Sequence, residues 1–66
     1  MKRIWIKDFK SNKEQVKGND TVTILAPYGE DYEGLKDDML QLGFIHTSTR
    51  FVGPDLIDTE QYFRKK

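Results

Sequence analysis

The sequence predicts a small α+β domain spanning 1–66, ordered ββαβ plus a fourth C-terminal element, with one amphipathic helix packed on one face of a mainly antiparallel sheet. Three observations carry that expectation. Tyr32, Leu35, Met39 and Leu42 recur at helical spacing along one stripe. Thr21–Ala26 and Phe44–Val52 are rich in β-branched residues and stop at Pro27 and at Gly53-Pro54. Finally, 66 residues allow one domain with a thin core, and Leu, Ile, Val and Phe are frequent enough to build it.

The first element is expected as a strand over 3–9. Alternation there places Ile4 and Ile6 on one face and Arg3, Trp5, Lys7 and Phe9 on the other. The polar stretch 10–20 follows as a loop or a single helical turn that builds little core, with Ser11 and Glu14 spaced as a capping box and Gly18-Asn19-Asp20 as a turn. Thr21–Ala26 is the second strand, with Val22 and Ile24 facing inward, and 27–29 breaks it.

The helix is expected over 31–42. Asp31 is placed as its N-cap, early carboxylates complement the dipole, and Gly43 supplies the left-handed residue after its end, which lets Phe44 fold back onto Met39. Gly34 weakens it by about 1 kcal/mol relative to alanine. Phe44–Val52 reads as a long strand with Ile45, Thr47, Thr49 and Phe51 on one face, leaving His46 with Ser48 and Arg50. The last segment admits two readings. Asp58 with Gln61, and Ile57 against Tyr62, fit a capped short helix, whereas 59–64 also fits a strand returning onto Phe44–Val52; Tyr62-Phe63 favours the strand.

With no cysteine, neither a disulfide framework nor a thiolate zinc site can form. The N-terminal residues lack the apolar run of a secretory leader and no stretch is long enough to span a bilayer, so a cytoplasmic protein without membrane contact is expected. Net charge is zero but unevenly spread: 1–17 carries six basic and two acidic residues, 18–45 one basic and six acidic, and 46–66 four basic and three acidic. That balance weighs against a protein whose main task is to wrap a polyanion.

Reaction chemistry is hard to assemble. His46 is the single histidine and has no local nucleophile or orienting group, so it is expected as a solvent-facing strand residue, and no enzyme, metal or cofactor is expected. The dense carboxylates Glu30, Asp31, Glu33, Asp37 and Asp38 read most plainly as a solvated helix face. The sharper reading is an acidic docking surface selecting a partner with a basic surface.

The leading functional expectation is therefore a non-enzymatic protein-binding module, an inhibitor or adaptor of the kind that phages and mobile elements carry. It would act by steric occlusion through Glu33, Asp37 and Asp38, with Tyr28 and Trp5 as apolar anchors. The alternative is a nucleic-acid-binding domain using Arg3, Trp5, Lys7 and Lys10, since cations interleaved with aromatics suit phosphates and bases. A third expectation is a homo-oligomer joined through an exposed edge strand.

Overall fold

A computed structural model describes residues 1–30 and 32–66. Four strands, β1 (Lys2–Trp5), β2 (Thr21–Ala26), β3 (Phe44–Val52) and β4 (Asp58–Lys65), form one sheet in the order β1-β2-β4-β3. β1 and β2 are parallel, whereas β4 is antiparallel to both β2 and β3. The domain is thus α+β with a mixed sheet, and β4 occupies a central position. Its burial explains why Tyr62-Phe63 settles as strand: Phe63 faces the core, and the ladder to β2 and β3 satisfies the backbone on both sides.

The expected first strand is corrected. It ends at Trp5, and Ile6–Ser11 forms α1, followed by a 3-10 turn over Lys13–Val16. The physical reason lies in the apolar spacing. Ile6 and Phe9 are three apart, so a helix buries both on one side, and Val16 joins them in the core. Phe9 consequently leaves the face shared by Arg3 and Trp5, and Lys7 becomes an exposed helix residue. The stretch 10–20 also contributes to the core through Val16, contrary to expectation. Ser11 is the last residue of α1, its hydroxyl donating to the Lys7 carbonyl at 3.3 Å, so it forms no capping box with Glu14. The α1 crossover is what allows β1 and β2 to run parallel.

The second helix, α2 (Leu35–Gln41), is shorter than the expected 31–42. Gly34 occupies its N-cap position and therefore does not weaken its interior, and the expected cap Asp31 lies outside the described residues. Leu35 and Met39 are buried, with Tyr32 and Leu42 packed partly against them, so the stripe itself holds. Gly43 takes φ +93°, the left-handed conformation expected of it, and its N–H bonds the Leu40 carbonyl at 3.0 Å.

Both helices share one core with Ile4, Val22, Ile24, Ala26, Phe44 and Phe63, so they cover the same side of the sheet. The register places Arg3 and Trp5 of β1, Thr21, Thr23 and Leu25 of β2, and Glu60, Tyr62 and Arg64 of β4 on the opposite, helix-free side. In β3 a bulge between His46 and Ser48 reverses the alternation. Ile45, Ser48, Arg50 and Val52 therefore face the helix-free side, and Phe44, His46, Thr49 and Phe51 the other.

That bulge overturns two expectations. Ile45 does not share a face with Thr49 and Phe51, and His46 does not sit with Ser48 and Arg50. His46 is half-buried, its ring edge-on to Phe63 at 5.4 Å and its Nε2 2.8 Å from the Thr49 hydroxyl, so it is not a purely solvent-facing residue. Among the described residues, no helix is long and apolar enough to cross a membrane.

Candidate interaction surface

The ends of the four strands define the site. β1 and β2 finish at Trp5 and Ala26, β3 finishes at Val52 and β4 begins at Asp58, so all four meet at one end of the sheet. Among the described residues, Trp5 (51% exposed), Tyr28 (78%), Phe51 (63%), Leu56 (64%) and Ile57 (41%) all belong to this end; the remaining large exposed apolar residues are Met1 and Leu40. Single exposed apolar side chains are ordinary, but here five share one end: Trp5 on the helix-free face of β1, Phe51 on the other face of β3 at the opposite edge, and Tyr28, Leu56 and Ile57 in the connecting turn and loop.

The local geometry presents these side chains outward. Pro27 starts a 3-10 turn directly after β2, and Tyr28 within it adopts φ 55°, ψ 30°, a left-handed conformation that costs a non-glycine residue about 1–2 kcal/mol. Asp58 holds that turn: the Tyr28 N–H donates to Asp58 Oδ1 at 3.1 Å. The same carboxylate lies against Gly53, where an added Cβ would stand 3.2 Å from Oδ2, so Asp58 ties the β3–β4 loop to the end of β2. Leu56 in that loop is also left-handed, at φ 56°. A cavity of about 290 Å³ lies between Trp5 and Pro27, with Lys7 and Glu30 on its walls. Glu30 and Asp55 carry exposed carboxylates along the rim.

The acids expected as docking groups divide by environment. Glu33 and Asp37 are exposed, the first in the turn before α2 and the second in its first turn. Asp38 is committed to the fold: its Oδ2 accepts from Lys13 Nζ at 2.9 Å and from the Tyr32 hydroxyl at 2.8 Å, bracing α2 against the turn after α1. Bonding by Lys13 and then by Tyr32 holds the Asp38 carboxyl below its ordinary value. Lys10, one of the expected nucleic-acid contacts, lies over the Tyr32 ring with Nζ 5.0 Å from the centroid.

The structure thus brings Trp5 and Tyr28 to one end and leaves Glu33, Asp37 and Asp38 on and before α2. Of the cations expected beside Trp5, Arg3 shares its face of the sheet, whereas Lys7 and Lys10 sit on α1. Phe51, Leu56 and Ile57 were not among the expected anchors. The signal that marks them is Leu56-Ile57 directly after Gly53-Pro54-Asp55, two consecutive large apolar residues in a segment whose turn chemistry already places it at the surface. Comparison of the chain with protein-family models, with curated proteins and with solved structures gives no significant match.

Proposed function

We propose that the chain is a non-enzymatic protein-binding module, an inhibitor or adaptor that acts by steric occlusion through the apolar end of its sheet. The observation that carries this reading is the concentration of Trp5, Tyr28, Phe51, Leu56 and Ile57 there, with Tyr28 held outward by Asp58. Tryptophan and tyrosine are enriched among residues that dominate binding energy, and a tied-down loop loses less freedom on association than a mobile one. Glu30 and Asp55 at the rim favour a partner with basic groups around its apolar contact. Relative to the acidic face of α2, this surface supplies the exposed apolar side chains that an interface core requires, whereas Asp38 is already paired with Lys13.

Site-specific photo-crosslinking tests the proposal. A photoreactive residue at Tyr28 or Leu56 should capture the same protein from cells that express the chain, and one at exposed Glu14 should not. In binding assays with the captured protein, the double variant Tyr28→Ser, Phe51→Ser should lose about 30-fold or more in affinity, the equivalent of one hot-spot residue. Equal labelling from position 14, or a folded double variant with unchanged affinity, would refute it.

A further inference from the structure

Arginine and lysine are segregated in this molecule. All three arginines, Arg3, Arg50 and Arg64, lie on the helix-free side of the sheet, one on each of β1, β3 and β4. The eight lysines do not: Lys2 and Lys65 fall on the helix-side register, Lys66 follows β4, and the others belong to α1, α2 and the segments around them. A solvated surface has no need of this division, because lysine serves solubility as well as arginine does. Guanidinium groups differ in offering a planar fork of donors matched to phosphate and a face that stacks on rings.

The remaining residues of that side form cross-strand rows. One row runs Trp5, Leu25, Glu60, Arg50, and the next runs Arg3, Thr23, Tyr62, Ser48. Glu60, the one carboxylate in the middle of the face, is buried and already satisfied: Arg3 Nη2 lies 3.0 Å from Oε2, and the Tyr62 hydroxyl donates to Oε1 at 3.2 Å. Arg3 keeps more than half of its side chain exposed while making that pair. Next to Tyr62 is a mostly apolar depression of about 310 Å³, with Met1, Thr21, Ser48 and Arg64 among the residues around it.

We infer that this face binds single-stranded nucleic acid, with Arg3, Arg50 and Arg64 contacting phosphates, Trp5 and Tyr62 stacking on bases, and the apolar depression beside Tyr62 receiving the flat face of a base. Stacking on a sheet face requires bases free of a complementary strand, and among the described residues this face presents neither a helix nor a protruding ribbon for a duplex groove. It is distinct from the apolar end, sharing only Trp5 with it, and does not rest on the protein-binding proposal.

The test is a titration of Trp5 fluorescence with a ten-nucleotide oligothymidine, its duplex with oligoadenine, and poly-glutamate as a polyanion without bases. The single strand should quench saturably, and three phosphate contacts should lower affinity about 20-fold between 50 and 200 mM salt. In Arg50→Gln, Arg64→Gln that loss should shrink to about threefold, with weaker binding throughout. Lys7→Gln, Lys10→Gln should leave the salt dependence unchanged, and Tyr62→Phe should retain binding that Tyr62→Ser weakens. A folded protein that shows no saturable quenching, that binds duplex or poly-glutamate as well as the single strand, or whose salt dependence follows the lysines instead, would overturn the inference.

Discussion

Replacing Trp5 and Phe9 separately by alanine tests the point where β1 gives way to α1. If the strand continued through residue 9, the two aromatics would share one face and lose comparable burial. In the structure Phe9 is fully buried (0% exposed) among Ile6, Val16 and the sheet, whereas Trp5 is half exposed. Removing a buried phenyl ring costs about 3–5 kcal/mol through lost transfer free energy and the cavity left behind. A domain of this size has a total stability of roughly 3–10 kcal/mol, so Phe9→Ala consumes between about a third and all of it. With an unfolding entropy of about 0.14 kcal/mol/K at this length, the corresponding fall in Tm is about 20–35 °C. Trp5→Ala should cost about 1 kcal/mol or less, because its ring remains half in water. Phe9→Leu, with an expected cost of about 1 kcal/mol, provides a folded intermediate point. Urea denaturation followed by far-UV circular dichroism gives all three values. Equal losses for Trp5→Ala and Phe9→Ala, or a Phe9→Ala protein as stable as the parent, would refute the helix at 6–11 and the core built on it.

Three further outcomes follow from individual contacts. Tyr28→Gly should leave stability unchanged or raise it by up to about 1 kcal/mol in thermal unfolding, because glycine accepts the left-handed backbone without the steric cost while adding unfolded-state freedom. Asp38→Asn should lower stability by up to about 1 kcal/mol at neutral pH, against no measurable change for Asp37→Asn. Since the Asp38 pKa is lowered from 3.8, that contribution is complete above this value and disappears as pH falls through the folded-state pKa, a window that denaturation at stepped pH resolves. The His46 pKa is also lowered, by burial first and by the Lys36 charge second, so the folded state disfavours its protonation. Stability should therefore decline as pH falls below 6.5, and His46→Phe should remove that part of the decline.

The elements legible in the sequence were those whose pattern admits one reading. β2 and β3 combine β-branched runs with proline or glycine stops, and the Leu35–Met39 stripe has a single helical solution. α1 was not legible because Ile4, Ile6 and Phe9 satisfy alternation for three residues before the spacing widens, and Val16 is an isolated apolar residue in a polar stretch. Only the tertiary arrangement shows that both belong to one core. The reversal of faces in β3 depends on one extra residue at the bulge, where the Thr47 hydroxyl donates to the Tyr62 carbonyl at 3.1 Å, and local composition carries no mark of it.

For the candidate surface, Trp5 and Tyr28 were recognisable as aromatics outside any core stripe. The contribution of Phe51, Leu56 and Ile57 depended on knowing that four strand ends converge. Likewise, the arginines at positions 3, 50 and 64 are far apart in the chain and become neighbours only through the strand order β1-β2-β4-β3.

That order also sets how the protein is made. The strand that joins the sheet's two halves is the last of the four to leave the ribosome, so β2 and β3 are synthesised before the partner that lies between them exists. Until β4 emerges, β2 has only β1 beside it and β3 has no neighbour, and the pairing that seals both closes a loop from Thr21 to Arg64. Completion of the sheet is thereby postponed until β4 has been made. A chain cut within residues 53–57 would leave β3 without a neighbour and one edge of β2 unpaired, open to the cell's chaperones and proteases, rather than a nearly finished domain.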